Sequence, residues 1–246
     1  MKPHRSAIAS HRGGAFLWPE NGLTAFRATA GLAVEQAECD VHASADGEAI
    51  VIHDATLDRT TDGSGPVVAR PMAELTRLRL KGGAGETVPR LAEMLAIFRN
   101  SPVVPRIEIK EGTDGRPYSG LAARVLADLD RAGLRRRSWV IGFDAPTMAQ
   151  VAAAGGLAGV SWLLERETWR SLGLPGTIAV AKAYGFPEIG VHEAMLDAEA
   201  SAALRSAGIG ISVWGANHEV SIRRMLGLGV DLLATDDPPL AIALRG

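Results

Sequence analysis

Glu38 and Asp40, two positions apart in Glu38-Cys39-Asp40-Val41, pose the first chemical question. A strand repeats every two residues, so both carboxylates share one face and Cys39 takes the other. Like charges held together away from water repel and lose hydration, and they need a cation close by. Arg106-Ile107-Glu108-Ile109-Lys110 repeats the pattern, with Glu108 and Lys110 turned inward and the isoleucines turned outward. Glu38, Asp40 and Glu108 could therefore complete a three-carboxylate site for one divalent cation. An all-oxygen ligand set favours Mg²⁺ or Ca²⁺, with Mn²⁺ also admissible, over Zn²⁺. The competing reading leaves Glu38 or Glu108 in plain ion pairs with Arg12, Arg106 or Lys110.

His11 and His53 each end a β-like run and could reach the same place. Imidazole gains and loses a proton near neutral pH, so a pair suits general base and general acid work on opposite sides of a phosphorus centre. Arg12 and Lys110 supply positive charge for a phosphoryl group, and the arginine fork can bind two of its oxygens. An anionic substrate is expected, because a purely apolar one would not need this array. Trp214 is read either as a wall for the organic part of the substrate or as a core plug. Asn21 either caps the helix beginning near Gly22 or turns its amide toward the site. Asp236 either orients a basic group or caps the final helix.

These residues need a scaffold that gathers strand ends. β-Like runs recur at 6–11, 35–41, 104–110, 138–143, 159–163, 188–192, 210–214 and 231–235, and helical stretches fall at 22–31, 120–132, 145–153, 198–207 and 220–228. Alternating strand and helix implies an α/β domain with a parallel sheet, and eight strands suggest a TIM (β/α)8 barrel. A doubly wound sheet is the alternative, but no glycine-rich dinucleotide loop follows the first strand. The run 49–53 follows too closely on 35–41 for a parallel crossover, so residues 35–53 read as a hairpin that brings His53 toward Glu38. Residues 54–90 read as a small excursion, lid-like over the barrel mouth, with a helix at 72–80; a helix at 91–98 leads into the next strand.

The chain's 246 residues fit one barrel domain spanning 1–246. Its 26 basic and 28 acidic side chains give a net charge of −2 and form no sustained basic stripe, which argues against nucleic acid as a partner. One cysteine, Cys39, excludes an internal disulfide and fits a reducing compartment, so the cytoplasm is the expected location. The N-terminal apolar run is too short for a signal-peptide core, and no run of apolar residues is long enough to span a membrane. The sequence is silent on oligomeric state.

With those residues in place, the chain resembles the glycerophosphodiester phosphodiesterase family. The matching pieces are HRG at 11–13, PEN at 19–21, ECDV at 38–41, HD at 53–54, RTTDGSG at 59–65, EIK at 108–110, VWGAN at 213–217 and GVDLLATDDP at 229–238. They keep the family's order over nearly the whole chain. The resemblance implies a TIM barrel and hydrolysis of small anionic glycerophosphodiesters to sn-glycerol 3-phosphate and an alcohol. It also implies Glu38, Asp40 and Glu108 as metal ligands, His11 and His53 as the acid/base pair, and Arg12 and Lys110 as phosphate-binding groups. A phospholipase C-like or sphingomyelinase-like diesterase and a non-catalytic phosphometabolite-binding barrel remain the alternatives.

Overall fold

The strands of the computed structural model, which describes residues 5–246, are β1 (Ala7–Ser10), β2 (Gln36–Ala43), β3 (Ala49–Val51), β4 (Val104–Ile109), β5 (Trp139–Gly142), β6 (Gly159–Leu164), β7 (Glu188–His192), β8 (Gly210–Trp214) and β9 (Leu232–Thr235). Met1–His4, part of the stretch read above for targeting, lie outside the described residues. All strands but β3 pair in parallel in the order β1-β9-β8-β7-β6-β5-β4-β2, and β1 pairs back onto β2. The sheet is thus a closed eight-stranded TIM barrel. β3 lies outside the ring, antiparallel to the far end of β2, as the short connection requires.

Helices α1 (Leu23–Thr29), α2 (Met72–Leu75), α3 (Leu91–Phe98), α4 (Leu121–Ala132), α5 (Ala145–Ala154), α6 (Arg166–Tyr184), α7 (Ala198–Ser206), α8 (Glu219–Leu228) and α9 (Pro238–Arg245) complete the chain. Their ends follow local chemistry. Asp144, Asp197 and Asp237 accept a backbone N–H at the start of α5, α7 and α9, and left-handed Gly133, Gly185 and Gly229 close α4, α6 and α8. Outward strand residues such as Cys39, Val41, Ile107 and Val140 bury against the helices in one large apolar core. No described helix is long and apolar enough to cross a membrane.

The floor of the barrel is polar. The Arg106 guanidinium, 2% exposed, donates to Glu188 at 2.6 Å and to Ser212 at 3.2 Å, and lies 5.3 Å from the Trp139 ring centre. Trp139 in turn leaves no room beside it: a Cβ on Gly159 would come within 2.4 Å of the indole. Arg106 therefore serves the floor and does not pair with Glu38 or Glu108.

Two sequence expectations change. The helix expected over 72–80 stops at Leu75, because Arg79 and Leu80 form β-bridges with Thr87 and Thr61. The segment after β3 instead packs Ile52, Leu57, Val67, Met72, Leu75 and Leu80 into its own small cluster. Asn21 does not cap α1, which has Gly22 at its N-cap without a side-chain bond.

Candidate active site

Register gathers the three carboxylates. Asp40 of β2 lies opposite Glu108 of β4, and Glu38 sits one inward-facing step below Asp40. One oxygen from each of the three falls within 4.8 Å of the others, and all three residues are buried. Lys110 Nζ donates to Glu108 Oε1 at 2.6 Å and sits 3.1 Å from Asp40 Oδ1, while Arg12 Nε sits 3.5 Å from Asp40 Oδ2. Ion pairing with Arg12 and Lys110 is thus real, yet it is incomplete. Three carboxylates face two cations, and the buried Glu38 Oε1 and Asp40 Oδ1 accept no hydrogen bond. Burial, then the charges of Asp40 and Glu108, raise the Glu38 pKa well above the carboxylate range. Burial pushes Asp40 the same way, but Lys110, His53 and Arg12 outweigh it and hold Asp40 ionised. A buried, oxygen-only cluster whose third carboxylate lacks a cation to hold it ionised, and which keeps free lone pairs, fits one hard divalent cation.

Neighbouring elements place the basic groups. Ser10 pairs with Thr235 across β1 and β9, so the next residues, His11 and Asp236, emerge side by side. His11 Nδ1–H donates to Asp236 Oδ1 at 2.6 Å, and Nε2 lies 3.9 Å from Glu38 Oε2. The turn that follows is tight. Arg12 is left-handed at φ 51, and its backbone is pinned by N–H donation to Glu38 Oε2 and acceptance from Asn21 N–H. Asn21, also left-handed, sends its amide to Asp40 Oδ2 at 2.8 Å. Of the two readings of Asn21, the structure selects the amide turned toward the site.

On the other flank, Ile52 N–H donates to the Asp40 carbonyl and brings His53 up to the acidic cluster. His53 Nδ1–H donates to Asp54 Oδ1 at 2.7 Å. The His53 carbonyl meets His42 Nε2 at 2.9 Å, and His42 Nδ1 meets the Tyr118 hydroxyl at 2.9 Å. Burial pushes the His42 pKa down to about 4, so His42 is neutral, with Nε2–H donating to His53 and Nδ1 accepting from Tyr118. Both His11 and His53 thus commit Nδ1–H to a carboxylate and leave Nε2 without a hydrogen bond among the described residues. Their environments differ. Burial opposes protonation of His11, but the bond to Asp236 and the Glu38 charge raise its pKa. For His53 burial prevails, aided by Lys110 and Arg12, and the pKa falls.

His11, Arg12, His53, Lys110 and Trp214 line one cavity of about 680 Å³, with Glu38 and Glu108 in its wall and Asp40 just behind. That volume suits a small organic ligand. Trp214 stands edge-on to Phe143 (6.2 Å between ring centres) and His192 (4.7 Å), lines the cavity, and also packs on the buried cluster of Ala9, Leu232 and Ala234, so it joins the wall to the apolar interior. The eight residues expected to bind metal or substrate or to move protons therefore converge, seven on the cavity and Asp40 through its contacts with Arg12 and Lys110. Sequence reading left Asp236 open between two roles: it orients His11 and is itself held by Asn217, whereas Asp237 caps α9. It missed Asp54, Glu20 and Arg59, although Asp54 adjoins His53 and Arg59 opens the RTT run.

A family model described as the glycerophosphoryl diester phosphodiesterase family matches residues 11–240. A glycerophosphodiester phosphodiesterase from Caldanaerobacter subterraneus subsp. tengcongensis is 27% identical over 98% of both chains. A crystal structure from Agrobacterium tumefaciens, provisionally assigned as a glycerophosphoryl diester phosphodiesterase, is 38% identical with TM-score 0.95, covering 98% of this chain and 97% of that one. An Oleispira antarctica phosphodiesterase in complex with the product sn-glycerol-3-phosphate shares the fold at TM-score 0.81 and 21% identity, over 98% and 96% of the two chains.

Proposed function

This chain belongs to the glycerophosphoryl diester phosphodiesterase family, and from that premise we propose that it hydrolyses glycerophosphodiesters to sn-glycerol 3-phosphate and an alcohol. The observation that carries the reading is one cavity holding two histidines with Nδ1–H committed to carboxylates, two cations and an under-compensated carboxylate trio.

Arg12 and Lys110 bind the nonbridging phosphoryl oxygens, and Arg12 is aimed by its fixed backbone. Of His11 and His53, one takes a proton at Nε2 from the nucleophile. The other delivers a proton from Nε2 to the departing alkoxide. With water as nucleophile, a P–O bond forms to water and the P–O bond to the alcohol breaks; with the glycerol 2-hydroxyl, a cyclic phosphate forms first and water then opens it. Asp236 and Asp54 hold the tautomer that keeps Nε2 available. Glu38, Asp40 and Glu108 would hold one divalent cation, Mg²⁺ or Ca²⁺ first and Mn²⁺ next. When bound, such a cation polarises a phosphoryl oxygen and offsets charge gained during attack. Trp214 faces the organic part of the substrate.

A coupled assay for released glycerol 3-phosphate from glycerophosphocholine, with EDTA and then with restored Mg²⁺, Ca²⁺ or Mn²⁺, tests reaction and cofactor together. Activity should vanish on chelation and return with metal. Saturable binding of substrate without released product would favour the non-catalytic barrel, and full activity in EDTA would reject the metal site.

A further inference from the structure

Arg59 lies outside the cavity, on the segment after β3, yet its guanidinium joins both flanks of the site. Nε and Nη2 donate to the two oxygens of Asp54 at 2.7 and 2.8 Å, and Nη1 and Nη2 donate to the two oxygens of Glu20 at 2.7 and 2.8 Å. Asp54 Oδ1 is the same atom that accepts His53 Nδ1–H, and Glu20 Oε1 is the same atom that accepts Arg12 Nη1 at 3.1 Å. The chain of contacts therefore runs His53–Asp54–Arg59–Glu20–Arg12 without a gap, with charge alternating from Asp54 to Arg12.

We propose that Arg59 is a positioning residue that sets His53 and Arg12 together, by fixing the carboxylates that hold each of them. An exposed ion pair ordinarily contributes little, and the Arg59 side chain is 47% exposed. Two features separate this case from an ordinary surface pair: both contacts are two-point, and the four charged groups form one network. A planar fork with five donors can grip two carboxylates at once, whereas the single ammonium of lysine lacks that geometry. The charges agree with this role. The hydrogen bond from Arg59, which outweighs burial and is aided by His53, keeps the Asp54 pKa below the ordinary carboxylate range; for Glu20, burial pulls upward but Arg59 and Arg12 prevail and lower it. Both acids thus stay ionised as acceptors. The arrangement also ties the excursion after β3 to the loop after β1, so catalytic geometry depends on the two segments being docked.

The inference rests on the proposed hydrolysis for its kinetic consequences, but not for its structural one. Steady-state kinetics on glycerophosphocholine and NMR of the histidine ring nitrogens should be measured for wild type, Arg59→Ala, Arg59→Lys, Glu20→Gln and Asp54→Asn. Arg59→Ala should lower kcat by about 10–100-fold and raise KM, since a charge-assisted orienting bond is lost on each flank. Asp54→Asn should act mainly on kcat and mix the His53 tautomers, Glu20→Gln should act mainly on KM and leave His53 unchanged, and Arg59→Lys should recover only part of the Arg59→Ala loss. A merely structural residue would not produce that split. Arg59→Ala or Arg59→Lys protein that is folded, with kcat or KM within about 2-fold of wild type, or with an unaltered His53 tautomer, overturns the proposal. Should wild type release no glycerol phosphate, the hydrolysis reading falls, and the ring-nitrogen spectra of Arg59→Ala still decide the positioning role.

Discussion

Asp236→Asn changes one atom and should disable His11. Asp236 Oδ1 accepts His11 Nδ1–H at 2.6 Å, and Oδ2 accepts from Asn217 Nδ2 at 2.6 Å. Both oxygens therefore face donors. An asparagine must present its NH₂ to one of them: toward Asn217 it sets donor against donor, and toward His11 it forces Nδ1 to accept and moves the ring proton to Nε2, the chemical nitrogen. A hydrogen bond involving a charged group is worth about 1.5–3 kcal/mol, so kcat should fall about 10–100-fold. His11→Ala removes the proposed acid or base itself and should cost about 10²–10⁴-fold. Because Asp236 acts through His11, Asp236→Asn in the His11→Ala background should cost almost nothing further. The assay is glycerol 3-phosphate release by folded, metal-loaded protein. Near-normal kcat in Asp236→Asn, or costs that multiply in the double variant, would refute the reasoning.

Arg106→Met strands Glu188 as an unpaired charge in the barrel floor and should lower unfolding stability by about 3–5 kcal/mol, whereas Arg106→Met with Glu188→Met should recover most of it; urea denaturation of the two proteins checks this. His42 supplies a pH dependence of stability. Its pKa is pushed down to about 4 in the folded protein, chiefly by burial, against about 6.5 when unfolded, so the unfolded chain binds the extra proton as pH falls. The contribution of His42 is full above about pH 6.5 and declines toward pH 4, by about 2 kcal/mol between pH 8 and pH 5. In His42→Gln the stability change from pH 8 to pH 5, read by urea denaturation, should differ from that of wild type by this amount; an unaltered change would contradict the assignment.

The barrel was legible because strand runs alternate with amphipathic stretches, and β4 shows the logic most plainly: Arg106 and Glu108 point in while Ile107 and Ile109 point out. Helix α6 escaped notice because Gly173 and Pro175 punctuate it; the chain does kink there, with Gly173 at φ 60, before the helix resumes. The metal-ligand candidates and histidines could be picked out because each lies near a strand end, where inward side chains meet the mouth. Their positioning partners could not be matched to them, although Asp236 reads in the sequence as orienting some basic group or capping the final helix. His11 and Asp236 are 225 residues apart, and only the closure of β1 against β9 makes them neighbours. Arg59 reads locally as part of a polar turn, and its reach to Glu20 and Asp54 depends on how two loops dock. Asn21 stood at a plausible cap position, but the left-handed backbone that turns it to Asp40 has no local signature stronger than Asn itself.

The account turns on a single cation held by Glu38, Asp40 and Glu108. Anomalous diffraction from crystals of the protein grown with Mn²⁺ addresses it directly. One strong peak about 2.0–2.5 Å from an oxygen of each of the three residues is the predicted result. An empty acidic cluster, with Lys110 Nζ still filling the space between Glu108 and Asp40, or a peak elsewhere in the barrel, would contradict it.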